Sequence, residues 1–193
     1  MTKKVEFLFD FGSPNAYLAS KALPAIEKRT GATFKYVPVL LGGIFKVTGN
    51  VPPAISEAGI KNKPEYGRLE IARFIKKHGL TKFKFNSHFP VSTLQIMRGA
   101  VAAEMDGVLP KYFEAVVSAM WEQSLKMDEP EVIKAALDAG GIDGARLLAR
   151  IQAGDVKAKL IENTEDAVLR GAFGSLTLPE GRVEGRIVFE FDM

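Results

Sequence analysis

Ser13 and Pro14 are the residues whose types and spacing first point to chemistry. They follow the apolar stretch Phe7-Leu8-Phe9-Asp10-Phe11-Gly12 and precede Asn15-Ala16-Tyr17-Leu18, which has helical character. A serine at such a junction caps a helix, its oxygen accepting from an otherwise unpaired backbone N–H of the first turn. Proline suits the first helical position, where its missing N–H costs nothing and its φ is already helical. Several N–H groups and the positive end of the helix dipole then point at the same place as the Ser13 hydroxyl, which favours an anion there. The same residues also describe an ordinary capped helix behind a central strand. Local sequence leaves both readings open.

Composition removes several alternatives. The 193 residues include no cysteine and only two histidines, His78 and His88. Disulfides and protein thiol chemistry are therefore excluded, and no metal site is expected. A net charge of +3 favours small anions without calling for nucleic acid. Hydrophobic content of 47% with 25% charged residues belongs to a folded protein rather than a disordered one. No apolar run approaches the roughly 18 residues of a membrane span. Met1-Thr2-Lys3-Lys4 leads into the first strand with no signal peptide expected. The expectation is a cytoplasmic protein with neither membrane nor nucleic-acid partners.

The elements that must hold Ser13 follow from hydrophobic period and punctuation. Val5 to Phe11 reads as a strand covered on both faces, and Asn15 to Arg29 as a helix kinked at Pro24 and closed by Thr30-Gly31. Phe34 to Leu41 reads as a second strand, with Pro38 arguing for an edge or a bulge. Strand, helix and strand make a βαβ unit with a right-handed crossover. Gly42 to Pro53 reads as a structured loop because of its glycines and prolines. Helices are expected at about 64–78, 92–106, 110–124, 130–139, 143–153 and 155–170, with Asp128, Asp143 and Asp155 at cap positions. Their Met and aromatic stripes are core faces, and Lys76, Lys77, Lys82 and Lys84 are solvated surface. Asp10 is expected to be a satisfied polar group rather than a base. After Gly171, Ser175 to Leu178 and Arg186 to Phe191 read as an antiparallel hairpin. The order is thus β-α-β, a helical block, then β-β.

Four motifs resemble one family. Phe9-Asp10-Phe11-x-Ser13-Pro14-x-x-Tyr17-Leu18-Ala19 resembles the opening of the 2-hydroxychromene-2-carboxylate isomerases, relatives of kappa-class glutathione transferases. The second match is Gly42-Gly43-Ile44-Phe45-Lys46-x-Thr48-Gly49-Asn50-x-Pro52-Pro53, and the third is Ser87-His88-Phe89-Pro90-Val91-x-Thr93-Leu94. The fourth is Arg170-Gly171-Ala172-Phe173-Gly174.

The resemblance implies an α/β, thioredoxin-like β-α-β...β-β sheet with a large all-helical insertion after the second strand. Residues 1–41 and 171–193 would form the thioredoxin-like domain and 42–170 the insertion. It also implies glutathione as the cofactor, with Ser13 stabilising its thiolate, which suits a hydroxyl donor at a helix N-terminus. The implied reaction isomerises a hydroxychromene carboxylate to its open-chain form by transient thiolate addition. Ser13 would be catalytic. Ser13, Pro14, Ser175 and Leu176 would hold the cofactor, and Phe45, Lys46, Asn50, Pro53, Phe89 and Pro90 an aromatic carboxylate substrate. Lys46 is equally readable as a solvated lysine, and Asn50 after Gly49 as a turn residue.

The chain departs from the family at its C-terminus. Leu176 stands where the family has a cis-proline, and a cis bond before a non-proline costs about 3–4 kcal/mol. The family's final helix is not visible, so an altered or shortened C-terminus is expected, with weakened glutathione affinity and an uncovered apolar sheet face that favours a homodimer. A kappa-like transferase and a non-catalytic, dimeric thioredoxin-like binding protein stand as alternatives.

Overall fold

The computed structural model describes residues 4–174. The hairpin expected after Gly174, with Ser175 and Leu176, lies outside the described residues.

Strand β1 (Lys4–Phe9) leads to helix α1 (Pro14–Thr30) and then to strand β2 (Thr33–Pro38). The two strands pair in parallel from Lys4↔Thr33 to Phe9↔Pro38, which is the βαβ unit expected. Alternation along the strands separates two cores. Phe7 and Phe9, with Phe11 beyond the strand end, join Tyr36 and Phe113 in an aromatic cluster. Phe9–Phe113 centroids lie 5.0 Å apart and Tyr36–Phe113 centroids 4.9 Å apart, both edge-on. Leu8, Val37 and Val39 form a smaller core with Ile44, Ala167 and Ala172 on the opposite side. Among the described residues Pro38 lies on an edge strand, as expected. Val39 N–H donates to Phe9 O at 3.0 Å, whereas the alternate residue Phe34 donates to Glu27 Oε1 at 3.0 Å. Pro38 shares the phase of Phe34, so the N–H it lacks falls on the side away from β1.

Residues 42–53 are not one loop. Helix α2 (Leu41–Thr48) and the short α3 (Pro53–Ser56) occupy most of the stretch. The glycines that argued for a loop serve packing instead. A Cβ on Gly43 would meet Thr164 Cγ2 at 3.2 Å, so glycine lets α2 approach α9 (Gly154–Leu169). Leu41 N–H, an unpaired donor of the first turn, finds its acceptor in the Asp10 carboxylate.

Helices α4 (Lys63–His78), α5 (Leu94–Met105), α6 (Leu109–Trp121), α7 (Pro130–Ala139) and α8 (Gly144–Arg150) complete the described chain. The helix α1 continues through Pro24. The Met and aromatic stripes are core for the most part: Met97, Val101, Phe113, Val116, Val117 and Met120 are buried and Ile71, Phe74 and Ile75 half-buried, whereas Leu94 and Met105, at the two ends of α5, are exposed. The four expected surface lysines are exposed.

Of the three expected caps, Asp143 alone holds that place, its carboxylate accepting from Arg146 N at 2.9 Å. Asp128 precedes the cap residue Glu129. Asp155 lies within the first turn of α9 and pairs with Arg150, 2.6 Å from Oδ2 to Nη2. Both misplacements are shifts of one or two residues, within the ordinary uncertainty of a helix end.

Candidate functional site

The turn between β1 and α1 is fixed from every side. Phe11 O accepts from the buried Trp121 indole N–H at 2.8 Å, and Phe11 N–H points at Met97 Sδ at 3.5 Å. Ser13 N–H donates to Asp10 O at 3.0 Å. Phe89, joined to Pro90 by a cis peptide bond, lies beside the same tryptophan with ring centroids 6.4 Å apart.

Within this frame Ser13 is the N-cap of α1, in extended backbone with φ −94° and ψ 116°, and its Oγ accepts from Ala16 N at 3.2 Å. The residue is 7% exposed. Its hydroxyl proton finds no acceptor among the described residues, and neither does the Asn15 N–H. Pro14 contributes no donor. The helix start therefore presents one O–H and one N–H beside the positive end of a 17-residue helix. The several free N–H groups expected reduce to that one, because Ser13 itself satisfies Ala16.

Asp10 lies directly behind this seat and is completely buried. Its Oδ1 accepts from Gly12 N at 2.8 Å, and its Oδ2 from Leu41 N at 2.8 Å and Thr93 Oγ1 at 3.1 Å. It is the satisfied polar group the sequence led us to expect. Burial pushes its carboxyl above the usual carboxylate range, although the three donors pull the other way.

That direction sets a pH dependence. A raised native pKa means that the folded chain binds more protons than the unfolded chain above the ordinary value of 3.8. Asp10 thus contributes most below that value, and its contribution falls as pH rises through the native pKa. Asp10→Asn leaves one of three converging donors facing an amide N–H, and should cost about 2–4 kcal/mol at neutral pH. Urea melts of both proteins between pH 4 and 8 should show the wild-type advantage shrinking as pH rises. An advantage that grows with pH would mean that the hydrogen bonds outweigh burial.

The expected substrate residues are spread around this centre. Phe45 is half-buried and Lys46 exposed, both on α2, whose first residue is tied to Asp10. Asn50 donates from Nδ2 to Phe173 O at 2.8 Å and accepts Val51 N at 2.8 Å. Its amide therefore joins the end of α2 to the segment after α9. Pro53 is exposed at the start of α3, Phe89 half-buried, and Pro90 exposed. Sequence reasoning gave Thr93 no role, although a threonine before an apolar helical run is a recognisable cap signal. In the structure its hydroxyl goes to Asp10 and not to its own helix.

Among the described residues no cluster of His, Asp or Glu is placed to hold a metal ion, and no helix is long and apolar enough to cross a membrane.

Comparison with known proteins bears on the family and the fold. A sequence model described as a DsbA-like thioredoxin domain matches residues 4–184. Glutathione S-transferase kappa 1 of Rattus norvegicus is 30% identical over 196 residues, covering 97% of this chain and 84% of that protein. The 2-hydroxychromene-2-carboxylate isomerase of Pseudomonas putida is 24% identical over 174 residues, covering 90% of this chain and 83% of that one. Among solved structures, a 2-hydroxychromene-2-carboxylate isomerase superposes with a TM-score of 0.73 at 23% identity, covering 89% of this chain and 82% of that chain.

Proposed function

Because the chain belongs to the DsbA-like thioredoxin family, with kappa glutathione transferases and 2-hydroxychromene-2-carboxylate isomerases among its relatives, we propose that it is a glutathione-dependent isomerase of the 2-hydroxychromene-2-carboxylate type. One observation carries the reading. Ser13 caps α1 with a hydroxyl proton that finds no acceptor among the described residues, in a chain without cysteine. A helix start built this way favours a thiolate, and the thiolate must come with a ligand.

The residues fit such a ligand. When bound, glutathione supplies the sulfur nucleophile that the chain lacks. Ser13 Oγ–H donates to the sulfur and Asn15 N–H adds a second donor, both lowering the cost of negative charge there. Pro14 holds the turn so that both donors face outward. We assign Ser175 and Leu176 to cofactor binding. Lys46, an exposed cation on α2, receives the substrate carboxylate, and Phe45 with the Phe89-Pro90 loop borders its aromatic part. Asn50 and Pro53 shape the far rim, where the Asn50 bond to Phe173 O supports a positioning role.

The test is an isomerase assay by absorbance with and without glutathione. Turnover should require glutathione, and Ser13→Ala should lower kcat by about 10²-fold, the usual effect of removing one preorganised donor. Turnover without glutathione, or unchanged by the substitution, overturns the reading. A second reading, a kappa-like glutathione transferase, is favoured by the 30% identity to the rat enzyme. Accumulation of a stable glutathione conjugate in place of the free isomer would select it.

A further inference from the structure

The starts of three helices share one buried acceptor. Asp10 Oδ1 takes Gly12 N, in the turn that enters α1, and Oδ2 takes both Leu41 N, the first residue of α2, and the hydroxyl of Thr93, the cap residue of α5. Asp10 O takes Ser13 N. These partners come from positions up to 83 residues away, so the carboxylate joins segments far apart in the sequence, alongside the contact of Phe11 N–H with Met97 of α5. Packing at the junction is close: a Cβ on Gly12 would meet Thr93 Cγ2 at 3.1 Å and Asp10 Oδ1 at 3.3 Å. Three converging donors need acceptor oxygens on both branches of the side chain, which a carboxyl group has and an amide lacks. Thr93 makes no side-chain cap bond to α5, so its hydroxyl serves Asp10 in place of its own helix.

We propose that Asp10 is the positioning residue of the site, a single buried carboxylate that locks the starts of α1, α2 and α5 into one frame. It thereby fixes Ser13 relative to α2, which carries Phe45 and Lys46, and to the Phe89-Pro90 loop that leads into Thr93. The functional part of this inference rests on the reading of Ser13 given above; the mechanical part does not.

Thr93→Val tests it with little change of shape. The substitution removes one bond to Oδ2 and leaves the carboxylate and its backbone donors in place, while Thr93→Ser keeps the hydroxyl. Amide hydrogen exchange should accelerate about tenfold or more at Gly12, Ser13 and Leu41 together in Thr93→Val, the scale of losing one hydrogen bond to a charged group. In the isomerase assay, run well below the melting temperature of each variant, kcat should fall about tenfold with KM for glutathione within about threefold, and Thr93→Ser should restore both readouts. Acceleration confined to the neighbours of residue 93, with Gly12 and Leu41 still protected, overturns the frame. So does a kcat unchanged in Thr93→Val while Ser13→Ala is inactive. If the wild type neither binds nor uses glutathione, the reading of Ser13 falls and hydrogen exchange alone decides whether Asp10 couples the three helix starts.

Discussion

Gly99→Ala is expected to cost about 2–5 kcal/mol, the sum of an overpacked core and a disrupted buried hydrogen bond. Gly99 sits on α5 where α6 crosses it, and an added Cβ would run into the Tyr112 hydroxyl, with Cζ only 2.8 Å away. Tyr112 has nowhere to go. It is wholly buried, and its hydroxyl donates to Ile96 O at 2.8 Å. Burial holds the phenol well above its usual pKa, so it remains a donor across the accessible pH range. Admitting the methyl group therefore means separating α5 from α6 or giving up that bond. Either change reaches the site, since α5 begins at Thr93's neighbour Leu94 and α6 ends at Trp121, the indole that holds Phe11 O. A chain of this size should lose roughly 5–15 °C in melting temperature. Tyr112→Phe removes the colliding oxygen, so the double substitution should be at least about 1 kcal/mol less destabilised than the sum of the single ones. Urea melts of the four proteins measure this. A Gly99→Ala protein within about 0.5 kcal/mol of wild type would mean that the helices are not in close contact here.

What could be read in advance divides along a physical line. The Ser13-Pro14 cap was legible because a cap is a local event: the residue that needs the bond and the residue that supplies it are three positions apart. Pro38 was legible as an edge residue for a similar reason, since a missing N–H is a property of one residue. Helix α2 was not legible. Gly42 and Gly43 oppose a helix by propensity, and what overrides them is tertiary: Thr164 packs against Gly43, and Asp10 accepts the first N–H. The part played by Thr93 was hidden for the same reason. Its hydroxyl could have capped α5, and only the fold shows that it turns to a carboxylate 83 positions earlier in the chain. Asp10 was read correctly as satisfied, yet neither the number nor the origin of its partners could be inferred. The four motifs did collect these residues. Asp10 with Ser13, Gly43 with Phe45 and Lys46, and Thr93 with Phe89 and Pro90 each belong to one motif; the Asp10 hydrogen bonds join the first motif to the third and reach Leu41, the residue just before the second.

Ser13→Cys should convert the start of α1 into a reactive thiol with a pKa below about 7.5, against about 8.5 for a free cysteine. Two influences compete at this position. The residue is 7% exposed, and burial disfavours a thiolate, as does the Asp10 carboxyl behind the turn whenever it is ionised. In favour stand the N-terminus of a 17-residue helix and the Asn15 N–H, which has no acceptor among the described residues. Helix starts lower cysteine pKa values by one to several units. The Asp10 charge is spread over three donors and its own ionisation is opposed by burial, so the helix start should win. Replacing the cap oxygen by sulfur should cost only about 1 kcal/mol, and the variant should fold. Because the natural sequence has no cysteine, all thiol alkylation reports on residue 13. The rate of iodoacetamide modification against pH, read by intact mass, gives the pKa without glutathione or any substrate. A value at or above that of a free cysteine would show that this helix start does not favour an anionic sulfur, and it would remove the observation on which the glutathione reading stands. A low value would assign the preference to the protein's own geometry: a serine here donates to a thiolate without being consumed, and the reacting sulfur is left to the ligand.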